Sequence, residues 1–140
     1  MSHRELVMGQ LRRDEGVIRH AYQDSEGYWT IGCGRLIDKR LGGGLRDDEI
    51  DYLLTNDVAE AEKVAKRLFT SFDRISDARK AALINLSFNL GMNRLAGFVR
   101  FKEALEAQAW EQAAAELMDS KWATQVGDRA KRIAKAIKEG

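Results

Sequence analysis

The chain has 140 residues, 44% of them hydrophobic and 32% charged, with no proline, which excludes a disordered tract or an array of Pro-linked modules. Its 23 basic and 22 acidic residues give a net charge of +1, which is not the footprint of a protein that binds by neutralising phosphates. No apolar run reaches the ~18 residues of a membrane span, no apolar segment of a secretory leader follows Met1-Ser2-His3-Arg4-Glu5, and Cys33, His3 and His20 are too few and too scattered for a disulfide framework or a zinc site.

In chain order, Leu6, Val7, Met8 and Leu11 recur at helical spacing, so residues 4–15 are expected to form a helix stopped by Gly16. The period then changes. Tyr28-Trp29-Thr30-Ile31-Gly32-Cys33-Gly34 is aromatic, β-branched and broken by glycine, and predicts a small antiparallel sheet with a turn at Asp24-Ser25-Glu26-Gly27. Gly42-Gly43-Gly44 marks a short loop and lacks the Lys and Ser/Thr of a phosphate loop. From Asp47 to Leu68 the helical period returns, with a stripe of Ile50, Leu53, Leu54, Val58, Ala61, Val64, Ala65 and Leu68. Asp47, Asp48 and Glu49 sit in the first turn, where the positive end of the helix dipole favours acids. A helix of that length, about 33 Å, suggests a strut between two lobes. Ala78–Leu90 predicts a buried central helix ending at Gly91, and shorter amphipathic helices are expected over 98–107, 110–119 and 128–139. The whole is an α+β, mostly helical domain with one small antiparallel sheet.

Two acids stand out. Glu15 closes the first helix, where the negative dipole end disfavours its charged form, a property useful in a general acid. Asp24 begins the hairpin turn, where an aspartate ordinarily binds its own backbone. Together, a helix-terminal Glu and a hairpin Asp could flank a cleft, and two carboxyls facing across a sugar are what glycoside hydrolysis needs. Gly32 and Gly34 would let a polymer approach the strand backbone closely.

Leu11-Arg12-Arg13-Asp14-Glu15-Gly16 followed by Tyr22-Gln23-Asp24-Ser25-Glu26-Gly27-Tyr28-Trp29-Thr30-Ile31-Gly32-Cys33-Gly34 resembles the catalytic signature of the phage-type lysozymes, glycoside hydrolase family 24, in their T-even form. Asp57-Val58, Arg79-Lys80-Ala81-Ala82-Leu83-Ile84-Asn85, and Trp122 with Asp128-Arg129-Ala130-Lys131-Arg132 match in the same order, so the similarity covers nearly the whole chain. The resemblance implies a two-lobed lysozyme fold as one catalytic domain, 1–140. The sheet lobe would take about 16–46, the connecting helix about 47–68, and the helical body 1–15 plus 69–140. It also implies hydrolysis of the β-1,4 bond between N-acetylmuramic acid and N-acetylglucosamine, with inversion and a carboxyl separation of about 6.5–9.5 Å.

By the same resemblance Glu15 is the proton donor, Asp24 the second carboxylate and Thr30 the residue that helps hold the attacking water. Arg129 is expected against Glu15. Leu36, Phe88 and Asn89 correspond to cleft positions, Glu26 and Lys121 to a pair across its mouth, and Phe101 and Glu116 to two further cleft positions where relatives carry small or amide side chains. Arg35 replaces a family histidine, which predicts an ion pair with Asp57 that stays charged at every working pH. The segment from Arg40 to Arg46 is shorter than in the T-even form, and the family's last helical segment has no counterpart before Gly140.

The implied partner is the peptidoglycan glycan strand, with no cofactor, no metal, no nucleic acid and no stable membrane insertion. The expected setting is a monomer in the host cytoplasm until a holin opens the membrane. A non-catalytic wall-binding module of the same fold and a tail-associated lysin are the alternatives. Residues 121–140 carry six bases against two acids, which suits either an anionic polymer or a solvated helix face.

Overall fold

The structure is a computed structural model that describes residues 2–37 and 43–140. Gly42 of the expected glycine loop, and Arg40 to Gly42 of the shortened segment, lie outside the described residues. The chain divides into two compact units, Met1–Asp51 and Tyr52–Gly140. Among the described residues no helix is long and apolar enough to cross a membrane, and no cluster of three His, Cys, Asp or Glu could hold a metal ion.

The first unit opens with α1 (His3–Glu15). Ser2 caps it through a reciprocal pair: Glu5 N–H donates to Ser2 Oγ at 3.2 Å, and Ser2 N–H donates to Glu5 Oε2 at 2.9 Å. Two orphan amides of the first turn are thereby satisfied. The stripe of Leu6, Val7, Met8 and Leu11 lies at the surface of this unit. α1 and the sheet fall within this first unit.

The sheet is antiparallel, in the order β1 (Ile18–Gln23), β2 (Trp29–Gly32), β3 (Arg35–Leu36). Tyr22 pairs with Thr30 and Thr30 with Leu36, so Thr30 sits on the central strand between two partners. An irregularity between Ile18 and Tyr22 shifts the register of β1. The turn falls at the expected Asp24–Gly27, with Gly27 N–H donating to the Asp24 carbonyl at 3.0 Å.

The long helix α2 runs Asp47–Leu68, as its period predicts. Its stripe is buried only in part. Ala61 and Ala65 are buried, whereas Leu53, Leu54 and Val58 remain at the surface of the second unit. Beyond a 3₁₀ turn at Phe72–Arg74, the second unit is built from α3 (Asp77–Ala96), α4 (Val99–Glu106), α5 (Trp110–Met118), α6 (Lys121–Val126) and α7 (Asp128–Glu139). α3 does break at Gly91, where φ is 74° and ψ 171°, but the chain resumes helix to Ala96 instead of stopping. α6 is an element the periodicity did not separate; at six residues it is too short for a clear apolar repeat.

α5 packs on α4 and α7, and α7 on α3, around a core that includes Leu83, Leu86, Leu105, Leu117 and Ile137. Two polar ties hold the ends of elements. Arg79 stacks on Trp110, 3.8 Å from the ring centroid, and donates from Nε to the Ile137 carbonyl at 2.7 Å and from Nη2 to the Lys138 carbonyl at 3.1 Å. It supplies donors to carbonyls that the end of α7 leaves without helical partners. Glu106 accepts from the hydroxyls of Thr70 and Ser71 and from the Ser71 N–H. Burial pushes its carboxyl up, but these donors outweigh it and hold the group below the ordinary carboxylate value.

Candidate active site

The first unit carries both candidate acids and Thr30. Glu15 is the final residue of α1, because Gly16 adopts φ 76° and turns its N–H back to the Arg12 carbonyl at 3.1 Å. The Glu15 carboxylate is exposed and lies against the turn between β2 and β3. A Cβ on Gly34 would stand 2.9 Å from Glu15 Oε2.

Asp24 opens the turn between β1 and β2. Its Oδ1 accepts from the N–H groups of Glu26 and Tyr28, each at 2.9 Å. That is the ordinary behaviour of a turn aspartate, and it also aims the carboxylate with two fixed amides. Thr30 is buried, and its Oγ1 donates to the Tyr28 carbonyl at 3.1 Å. With the proton committed there, the oxygen is left to act as an acceptor. An exposed carboxyl can deliver a proton; an oriented carboxylate and a hydroxyl acceptor can orient a water molecule.

Arg35 corrects one expectation. Its carboxylate partner is Glu49, with Nη1 at 2.6 Å from Oε1, and the same nitrogen donates to the Gly44 carbonyl at 3.0 Å. The contact goes to the first turn of α2, eight residues and about 12 Å of helical rise before Asp57. Glu49 also accepts the Arg46 N–H at 2.9 Å, in the manner of the acid in a helix-capping box. The three leading acids of α2 were legible as dipole partners, but nothing in their order singles out Glu49.

The Arg35 hydrogen bond, helped by the Arg46 amide, brings the Glu49 carboxyl from an ordinary 4.5 down to about 2. A depressed carboxyl stabilises the fold above its unfolded pKa, and that contribution is lost as pH falls from there towards about 2. A carbon-detected NMR titration should therefore give Glu49 a midpoint near 2, and Arg35→Ala should raise it towards the ordinary carboxylate range, with the Arg46 amide still holding it below. An unchanged midpoint in that variant would remove Arg35 as the cause.

The other predicted residues belong to the second unit. Asn85 accepts from Arg129, from Nε at 3.0 Å and from Nη2 at 2.6 Å. Arg129 was expected beside Glu15; in this unit Asn85 is what holds its guanidinium. Both border an apolar groove of about 400 Å³ together with Leu54, Val58, Ile84 and Phe88, whose ring is 47% exposed. Asn89 Oδ1 accepts from Trp122 Nε1 at 2.6 Å, so one end of that amide is pinned by a buried indole. Lys121 is exposed at the start of α6, and Asp57 is exposed on α2.

Phe101, matched to one of the two further cleft positions, is a core residue of the second unit. It is 2% exposed, and its ring meets Phe69 edge to face, with centroids 6.0 Å apart and planes at 80°. It forms part of the floor of a groove whose lining also includes Arg100, Glu116 and Asp119. The hydrophobic gain of burying an aromatic ring explains why a Phe there turns inward.

The sequence matches the phage lysozyme family over residues 12–136. It is similar to "Probable T4-type lysozyme 1" of Dictyostelium discoideum, 28% identical over 160 aligned residues that cover 96% of this chain and 94% of that protein. It is 30% identical over 155 residues to "Pre-baseplate central spike protein Gp5" of Enterobacteria phage T4, covering 93% of this chain but 27% of that much longer protein. It is 28% identical over 123 residues to "Endolysin" of Acyrthosiphon pisum secondary endosymbiont phage 1, covering 87% of this chain and 79% of the relative. With a match running from the helix that carries Glu15 almost to the end of α7, and a small three-stranded sheet within a mostly helical chain, this protein belongs to the phage lysozyme family.

Proposed function

We propose that the chain is a muramidase that cuts the β-1,4 bond between N-acetylmuramic acid and N-acetylglucosamine in peptidoglycan, and that it serves a phage or prophage as an endolysin. The observation that carries this reading is the arrangement within one compact unit: Glu15 at a helix end seated on the β2–β3 turn, with Asp24 and Thr30 held by the same small sheet. Glu15 gives its proton to the bridging oxygen as the bond from that oxygen to the anomeric carbon breaks. A water held by Asp24 and Thr30 attacks that carbon from the opposite face and passes its proton to Asp24. The products are a new reducing end and a free hydroxyl on the departing sugar, with the anomeric centre inverted.

Leu36 and Glu26 are the glycan contacts proposed for the first unit, and Phe88, Asn89 and Lys121 those for the second, with Arg129, Arg35 and Asp57 in support. The protein acts as a monomer, accumulates in the host cytoplasm and reaches the wall through a holin lesion. The likeness to a protein named endolysin, over 87% of this chain and 79% of that protein, supports that setting. The likeness to a segment of a central spike protein favours a second reading, the same chemistry delivered from a phage tail.

The test is mass spectrometry of purified peptidoglycan after digestion, with proton NMR of the first product formed. Reducing N-acetylmuramic acid ends released first as the α-anomer are expected. Anhydro ends would replace water by an internal hydroxyl as nucleophile, and undigested glycan would leave a wall-binding module.

A further inference from the structure

We propose that Gly34 is a positioning residue for Glu15: the hydrogen it carries in place of a side chain leaves the space in which the Glu15 carboxylate rests. The inference builds on Glu15 as the acid of the proposed reaction. Gly34 lies in the turn between β2 and β3 at φ +76°. A Cβ there would stand 2.9 Å from Glu15 Oε2, 3.1 Å from Cδ and 3.3 Å from Cγ, all closer than van der Waals contact, so the end of the side chain lies in the space a methyl would need.

The other glycines at positive φ in this unit separate two demands. Gly16, Gly27, Gly32 and Gly44 share the positive φ, yet a Cβ on any of them would meet nothing within 4 Å. Backbone strain favours glycine at all of these positions; only at Gly34 does space for another residue's carboxylate favour it as well. Glu15 is exposed at the end of a helix, with rotatable bonds that its own helix does not lock. The surface against which it rests therefore sets where its proton is presented. A methyl at position 34 would displace the flexible carboxylate, so the substitution should be felt in catalysis beyond its cost to the fold. A displacement of about 1 Å in a catalytic group can cost on the order of 10²-fold in rate.

The experiment compares Gly34→Ala with Gly44→Ala, which places a Cβ at a similar positive φ, +79°, but in open space. Gly34→Asn is a second variant at the same position, since Asn tolerates positive φ better than Ala. Each is assayed for kcat and KM on purified peptidoglycan, for melting temperature, and for the Glu15 side-chain carboxyl resonance by NMR. Expected are melting temperatures lowered in both alanine variants and kcat reduced about 10²-fold with KM unchanged in both position-34 variants. The Glu15 resonance should move in those variants and keep its wild-type shift in Gly44→Ala.

Wild-type kcat in a folded Gly34→Ala, an equal kcat loss in Gly44→Ala, or a loss confined to KM would each overturn the proposal and leave the muramidase reading intact. A wild-type protein that cuts no glycan would sink that reading instead. The NMR arm still tests the contact in that case, and an unmoved Glu15 resonance in Gly34→Ala would overturn it.

Discussion

Glu15→Gln should abolish wall lysis while leaving the protein folded. The amide keeps the shape of the carboxyl, so it still fits against Gly34, but it has no acidic proton to give the leaving oxygen. Loss of general acid catalysis is worth about 10²–10⁴-fold, and a sugar alkoxide is too poor a leaving group for water to compensate. Glycan binding, read by co-sedimentation with insoluble wall, should persist. Asp24→Asn should lose activity as well. Its Oδ1 can still accept from the Glu26 and Tyr28 amides, so the turn survives, but the amide cannot take a proton from water. Turbidity clearing by Glu15→Gln at the wild-type rate would refute the assignment of Glu15 as the acid, whatever the family.

Phe101→Ala should strike stability instead. The ring is buried edge to face on Phe69 in the middle of the second unit. Removing a buried Phe costs about 3–5 kcal/mol, because the lost transfer energy is joined by the cavity left behind. A denaturant midpoint and a melting temperature lowered by roughly 10 °C are the expected readouts. KM for the folded fraction should be unaffected, since a ring 2% exposed offers a sugar almost no surface. An Ala variant of wild-type stability with a raised KM would return Phe101 to the binding surface.

Phe101 shows what the matching of motifs leaves open. The family resemblance matched it to a cleft position, but a phenyl ring gains more from core burial than a small polar side chain does, and it packs on Phe69. Arg35 is a similar case. The family resemblance pointed to Asp57 of α2 as its partner; α2 offers acids on successive turns, and the contact falls on Glu49 in the first of them. Trp122 was legible as a motif residue, but its bond to Asn89 joins positions 33 apart, and periodicity carries no information at that range.

Elements and their ends were written locally. Helical spacing, the Gly16 stop, the Asp24–Gly27 turn and the Gly91 break follow from φ/ψ preferences and apolar period within a few residues, and so does the presence of Glu15 at a helix terminus and Asp24 at a hairpin. What depended on the folded chain was every contact between distant positions: Glu15 on Gly34, Arg35 on Glu49, Arg129 on Asn85, Phe101 on Phe69. Those pairings are settled by shape and by competition for buried space and for hydrogen-bond partners, which exist only once the elements have met.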